Sequence, residues 1–342
     1  MLTQPSKKII LCLLFWGFCF AGLSFAQDLD PSGPIPVTNQ HPFYIFFLNP
    51  TPDKVDIQES GKLALDLRYA MANINVRQYS YPPDAHYDQV ELDMEIHKLD
   101  LDFRYGLNEQ MDLELDIPYL IFWEGFLDSV VDFFEDSLGV MSPSSRGDWG
   151  TNRYKYFLRS DSKTYIDREE GENGIGDTTL FLKYKFIDEQ RYLPSMAIRT
   201  GIKFPTGSKD NLLGSGEFDY DVGILFQKQI SKLFLYFNLD SVFIARPKVL
   251  DSMPLDNYMI SGFLGMEYFL NKRFSLLFQS GLISTPYPAV DEVTSLQHSP
   301  GHIGLGINYK FSQNSSLKFS VIENISSASP DIILQTGLNL KF

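Results

Sequence analysis

Residues 99–119 read LDLDFRYGLNEQMDLELDIPY. Leu99, Leu101 and Phe103 alternate with Asp100 and Asp102; after a short break at 106–110, Met111, Leu113, Leu115, Ile117 and Tyr119 alternate with Asp112, Glu114 and Asp116. Successive side chains of an extended chain point to opposite faces, so each half is a strand with one apolar and one acidic face, and the break is a tight turn. If the apolar faces meet lipid, the acids line the interior of a barrel.

The same period continues on both sides. Upstream, Leu63, Leu65, Leu67, Tyr69 and Met71 alternate with Ala64, Asp66, Arg68 and Ala70. Val90, Leu92, Met94 and Ile96 alternate with Glu91, Asp93, Glu95 and His97, and the phase then slips by one, which predicts a β-bulge near Lys98. Downstream, Leu180, Leu182, Tyr184 and Phe186 oppose Lys183 and Lys185; Met196, Ile198, Ile202 and Phe204 oppose Arg199 and Lys203; Tyr220, Val222, Ile224 and Phe226 oppose Asp219 and Asp221. Later strands centre on Phe237, Leu264, Phe278, Leu305, Phe319 and Leu338. The pattern predicts about twelve strands, each near the ~10 residues that a tilted membrane-crossing strand needs.

The connections carry independent information. Long ones (73–88, 120–174, 205–216, 246–256, 284–300, and a moderate one at 323–331) alternate with short ones (106–110, 188–193, 231–232, 271–272, 312–315). Outer-membrane barrels have short periplasmic turns and longer outer loops, an asymmetry that a soluble sandwich has no reason to keep. The predicted fold is therefore an all-β, antiparallel transmembrane barrel over residues 61–342, its last strand ending at Phe342.

Ahead of the barrel, Lys7 and Lys8 precede an apolar run from Ile9 to Phe20 and a small-residue site at Ser24-Phe25-Ala26. This reads as a signal peptide over 1–26, cleaved before Gln27, and implies Sec-type export from a Gram-negative cell to the outer membrane. Residues 27–60 read as a periplasmic or lumenal arm with Pro31, Pro34, Pro36 and Pro42, in which 43–48 is either a short strand or a segment packed in the barrel mouth. Both cysteines, Cys12 and Cys19, fall in the leader, so the remaining chain has neither disulfides nor thiolate metal ligands. The formal charge of −14 argues against nucleic acid as a partner. The 28 Phe and 18 Tyr suit two aromatic girdles.

Several segments resemble an uncharacterised family of Gram-negative outer-membrane proteins, the domain-of-unknown-function family 3187. They are Gly33-Pro34-Ile35-Pro36-Val37-Thr38-Asn39-Gln40-His41-Pro42, Phe103-Arg104-Tyr105-Gly106-Leu107 through Ile117-Pro118-Tyr119, Gly125-Phe126-Leu127-Asp128, Gly174-Ile175-Gly176-Asp177, Phe204-Pro205-Thr206-Gly207 and Leu213-Gly214-Ser215-Gly216. The resemblance implies the fold and the location; the family offers no catalytic residue to carry over.

The candidate lumen-lining residues are Glu91, Asp93, Glu95, Asp100, Asp102, Asp112, Glu114, Asp116, Lys183, Lys185, Arg199 and Lys203. They read either as an electrically polarised channel wall or as ion pairs that neutralise one another. Phe126, Val130, Phe133, Phe134 and Leu138 make a helical stripe within the longest loop, opposite Asp128, Asp132, Glu135 and Asp136, which predicts a short amphipathic helix at the rim or folded inward as a constriction. His298 and His302 flank Pro300 and read as loop histidines rather than a metal pair. No cofactor is expected. The expected partners are outer-membrane lipid, lipopolysaccharide and a small-molecule solute, and oligomeric state is open. The function expected is passage or binding of small molecules. The alternatives are a barrel-borne lipid hydrolase, for which His97 could supply a base but no serine is placed beside it, and a closed structural or adhesive barrel.

Overall fold

A computed structural model describes residues 29–79, 89–127, 153–160, 163–287, 294–326 and 328–342. It contains fifteen strands: β1 (Leu63–Tyr79), β2 (Gln89–Asn108), β3 (Met111–Trp123), β4 (Lys155–Ser160), β5 (Lys163–Arg168), β6 (Asn173–Ile175), β7 (Thr178–Ile187), β8 (Ser195–Phe204), β9 (Asp219–Ile230), β10 (Leu233–Phe243), β11 (Tyr258–Phe269), β12 (Phe274–Ile283), β13 (Gly301–Lys310), β14 (Ser315–Asn324) and β15 (Ile332–Lys341). Twelve of them form one antiparallel ring, in which each strand pairs with its neighbour and β1 closes on β15 from Ala64↔Lys341 to Asn73↔Ile332. Closure leaves no open edge, the condition for a sheet to cross a bilayer. Phe342 N adds a last bond to Leu63 O, 2.8 Å.

The outer face of the ring is apolar. Leu67, Ile198, Val222, Leu264, Leu276, Leu305 and Leu317 point out along successive strands and are exposed. Aromatic side chains mark the two ends of this band, with Phe243 opposite Tyr258 at one end and Phe274 stacked on Tyr309 at the other, ring centroids 4.5 Å apart.

Three departures from the sequence reading have physical causes. First, β1 and β2 continue well past Asn73, and their pairing runs without a shift from Leu63↔Tyr105 to Tyr79↔Gln89. There is no bulge at Lys98; the irregularity of β2 lies at its turn, between Gly106 and Asn108. The apparent phase slip is an inversion of surroundings on one unbroken strand. Below Lys98 the outer face is apolar and the inner face polar; above it Val90, Leu92, Met94 and Ile96 point inward into an apolar core. Second, the longest connection carries the β4–β5 hairpin, which extends the upper end of β2, and β6, which pairs with the end of β3. Third, of the two readings of residues 43–48 the strand is not formed: the segment turns and packs within the barrel. The helix expected at 126–138 lies outside the described residues except for Phe126 and Leu127, and the leader 1–26 lies outside them entirely.

The arm folds inside the ring. It ascends from Leu29, turns at 41–47, and descends to β1. Ile35, Phe43, Tyr44, Phe46, Leu48 and Val55 are buried. The tip builds an aromatic core, in which Phe43 meets Tyr156 at 5.4 Å and Tyr287 at 6.1 Å, while Tyr287 Oη donates to Phe43 O at 2.8 Å.

Candidate functional site: the arm and the inner wall

Strand alternation places Asp100, Asp102, Asp112, Glu114, Asp116, Lys183, Lys185, Arg199 and Lys203 on the inner face. Glu91, Asp93 and Glu95 are on the other one: their cross-strand partners are Arg77, Asn75 and Asn73, on the same face as lipid-facing Leu65 and Leu67 lower down. The assignment of these three to the lumen is therefore corrected. Their outward direction follows from the unbroken register of β2.

On the wall between β1 and β3, Arg68 gathers three acids: Nη1 is 2.9 Å from Asp102, Nη2 3.2 Å from Asp116 and Nε 3.7 Å from Asp100. Lys98 adds a second cation to Asp100 at 3.0 Å and also donates to Thr38 of the arm. One guanidinium thus satisfies an acidic patch that would otherwise be buried and unpaired.

The remaining wall charges turn to the arm. Asp53 is held from two sides, by Arg104 at 3.0 Å and Lys183 at 2.8 Å, and Asn238 closes a pair of hydrogen bonds with its backbone. Burial alone would raise the Asp53 carboxyl, but Arg104 and Lys183 outweigh it and hold the group well below the usual carboxylate range. Arg104 also pairs with Glu114, and Lys183 reaches Asp112 at 3.6 Å. Arg199 donates to Thr51 O at 2.6 Å and to Asp240 at 2.9 Å. Lys203 binds Asp219 at 2.9 Å and Asp177 at 3.1 Å, and donates to Phe46 O. Lys185 lies apart, paired with exposed Asp188 at 2.7 Å.

On the opposite wall, Glu267 accepts from Ser32 N and Gly33 N, both at 3.2 Å, and Gln279 exchanges two bonds with the backbone of Ile35. Ile35 lies over an inner wall stripped of side chains: Cβ atoms at Gly304 and Gly306 would come 3.3 and 3.2 Å from its Cδ1. Lys318 donates to Ser32 O, Gly33 O and Pro34 O, the last at 2.7 Å. Lys310 and Lys341 flank Asp30 at 2.6 and 3.3 Å. Burial would raise Asp30, but Lys54 and these two lysines bring it down to about 2. Among the described residues, no backbone-to-backbone hydrogen bond joins residues 29–57 to the wall. The arm is fastened by side chains.

At the tip, His41 is fully buried and neither ring nitrogen has a hydrogen-bond partner among the described residues. Burial pushes its imidazole down to about 3, so it is neutral.

Outside the wall, Glu95 Oε1 accepts from the N–H groups of Phe126 and Leu127. Gly125 makes that approach possible: its φ is +73°, and a Cβ there would lie 2.0 Å from the Glu95 carboxyl carbon. His97 sits beside this contact, its Nδ1 2.6 Å from Tyr69 Oη and its Nε2 3.0 Å from Trp123 Nε1. Nε2 also lies 3.3 Å from Glu95 Oε2, so both ring nitrogens of His97 are engaged by Tyr69, Trp123 and Glu95. Among the described residues, no group of three or more His, Cys, Asp or Glu side chains could hold a metal ion.

Sequence reasoning missed Arg68, Arg104, Glu267, Lys310, Lys318 and Lys341, and the arm residues they hold. Inward alternation on each strand was the available signal. What it lacked was a choice between a periplasmic and a lumenal place for the arm.

Among solved structures, an outer-membrane channel from Pseudomonas putida F1 matches with a TM-score of 0.55 at 13% identity, over 85% of this chain and 99% of that one. The NanC porin matches with 0.45 at 10% identity, over 81% and 100%. The first likeness is one of fold: a closed antiparallel twelve-stranded barrel. A family model described as "Protein of unknown function (DUF3187)" matches residues 10–342, and the chain belongs to that family.

Proposed function

We propose that the protein is a gated outer-membrane channel for small molecules, exported behind a signal peptide at 1–26 and plugged by its own arm, residues 27–60. The observation that carries this reading is the way the arm is held. The wall is closed by continuous backbone ladders, whereas arm residues 29–57 meet it through contacts to side chains, with no backbone-to-backbone bond among the described residues. Such contacts can exchange one at a time for water or solute, so the plug is separable from a wall that stays closed. The inner wall beneath it is polar and hydrogen-bonding, as a water-filled passage requires.

A closed structural barrel is the second reading, favoured by the buried aromatic tip around Phe43 and Tyr287. One experiment separates the two. The chain downstream of residue 26 has no cysteine, so Ile35→Cys and Gln279→Cys can be bridged by a short bifunctional thiosulfonate. In planar bilayers the unbridged protein is expected to show discrete openings, lost on bridging and restored by reductant. Silence in every state, from protein shown to be folded, would favour the closed barrel.

A further inference from the structure

Resting on the reading of the arm as a displaceable plug, we infer that the solute admitted is a small organic anion bearing a carboxylate, bound by Lys310, Lys318 and Lys341 in the place the arm's Asp30 now takes. These lysines project inward from β13, β14 and β15 into a cavity of about 250 Å³ between the arm and the wall. Every acceptor within hydrogen-bond or ion-pair distance of them, among the described residues, belongs to the arm. Lys310 and Lys341 meet Asp30, and Lys318 meets three arm carbonyls. Of the wall acids lining the same cavity, Asp102 pairs with Arg68 and Glu114 with Arg104; Asp66, which accepts from Asn339 at 3.0 Å, acts on Lys318 only at longer range, as does Glu267 beside the cavity.

Three ammonium groups whose direct contacts are all on the arm are costly unless something negative or strongly accepting joins them. The chain supplies that from the arm. Further up the lumen the arrangement recurs, with the Asp53 carboxylate clamped between Arg104 and Lys183. The described arm carries Asp30, Asp53, Asp56 and Glu59 against Lys54 alone, so its departure leaves the lumen more positive. Rings of Arg and Lys side chains are what select anions in pores. The arm thus acts as a tethered anion at two successive stations, and a carboxylate of the solute is the group that matches both.

The test uses full-length mature protein in planar bilayers under a salt gradient. Openings are expected to be anion-selective by reversal potential. Benzoate is expected to raise open probability and then block the chloride current, whereas benzyl alcohol, its neutral counterpart, does neither. Lys310→Gln with Lys318→Gln should weaken the benzoate effect about tenfold or more. Should that variant fold poorly, Asp30→Asn keeps the lysines and removes their competitor, and the same effect should appear at about tenfold lower benzoate. Cation-selective openings, benzoate and benzyl alcohol acting alike, or no shift with Asp30→Asn would overturn the inference while leaving a gated channel in place. Absence of openings throughout would overturn both.

Discussion

Arg68 and the lysines of β13–β15 face the same cavity, yet their charges are closed in opposite ways. Arg68 draws its acids from neighbouring wall strands, so its cluster is complete whether or not the arm is present. Lys310, Lys318 and Lys341 draw theirs from the arm. The first arrangement serves the barrel and the second serves whatever occupies the barrel. A buried charge set therefore reports on function through the origin of its counter-charges more than through its position in the lumen.

The largest effect is expected from breaking the wall-closed side. Arg68→Met leaves Asp100, Asp102 and Asp116 buried with Lys98 at Asp100 and Arg104, itself paired with Glu114, at longer range from Asp102, at a cost of about 3–5 kcal/mol. It should appear as a much lower urea midpoint of the refolded barrel. If the midpoint is unchanged, the three acids are not held by Arg68 as described.

The arm-closed side should respond to pH through His41. Its docked value of about 3 lies below the ordinary 6.5, so the docked arm binds fewer protons than the released one. The docking stability it contributes is full above pH 6.5 and is lost as pH falls toward 3. Between pH 6.5 and 4.5 release should become roughly fiftyfold more favourable, and His41→Gln should flatten this dependence. Open probability measured against pH checks it; a wild-type profile flat over that range would contradict the buried neutral imidazole.

A smaller effect is expected at Gly306, where an added Cβ would meet Ile35 at 3.2 Å and Phe319 O at 3.1 Å. Gly306→Ala should weaken arm docking by about 1 kcal/mol with the wall intact. Reactivity of an Ile35→Cys thiol toward a water-soluble maleimide, compared with and without the alanine, measures it. Lys185→Gln sharpens the comparison from the other side. Its partner Asp188 is solvent-exposed and it touches neither arm nor acid cluster, so neither urea midpoint nor open probability should move measurably.

Much of the barrel was legible because each crossing strand needs one apolar face for lipid. That need imposes a period on Leu63–Met71, Met111–Tyr119 and every strand from Leu180 onward. It fails where lipid ends. On β2 the side chains above Lys98 keep alternating while the apolar face moves from outside to inside, and a sequence pattern cannot tell an inverted environment from a bulge. Glu91, Asp93 and Glu95 were misplaced for that reason. The acids and bases nearest residues 99–119 were visible as an inner face, but the decisive lysines were not. A single inward Lys on each of three late strands looks like any polar-face residue until the arm lies beside it. The arm, rich in proline and without a period, is compatible by its sequence with either a periplasmic or a lumenal place, and nothing in it decides between them.

The central claim is that the arm is a unit separable from the wall, and hydrogen–deuterium exchange of full-length mature protein tests it most directly. The hydrogen bonds that amides of residues 30–58 make go to side chains or turns, whereas those of β9–β12 lie in ladders on both sides. The arm is expected to exchange orders of magnitude faster than these strands while they remain protected, the mark of local opening. Arm amides as slow as those of β9–β12 would contradict the account and make the arm a permanent part of the barrel core.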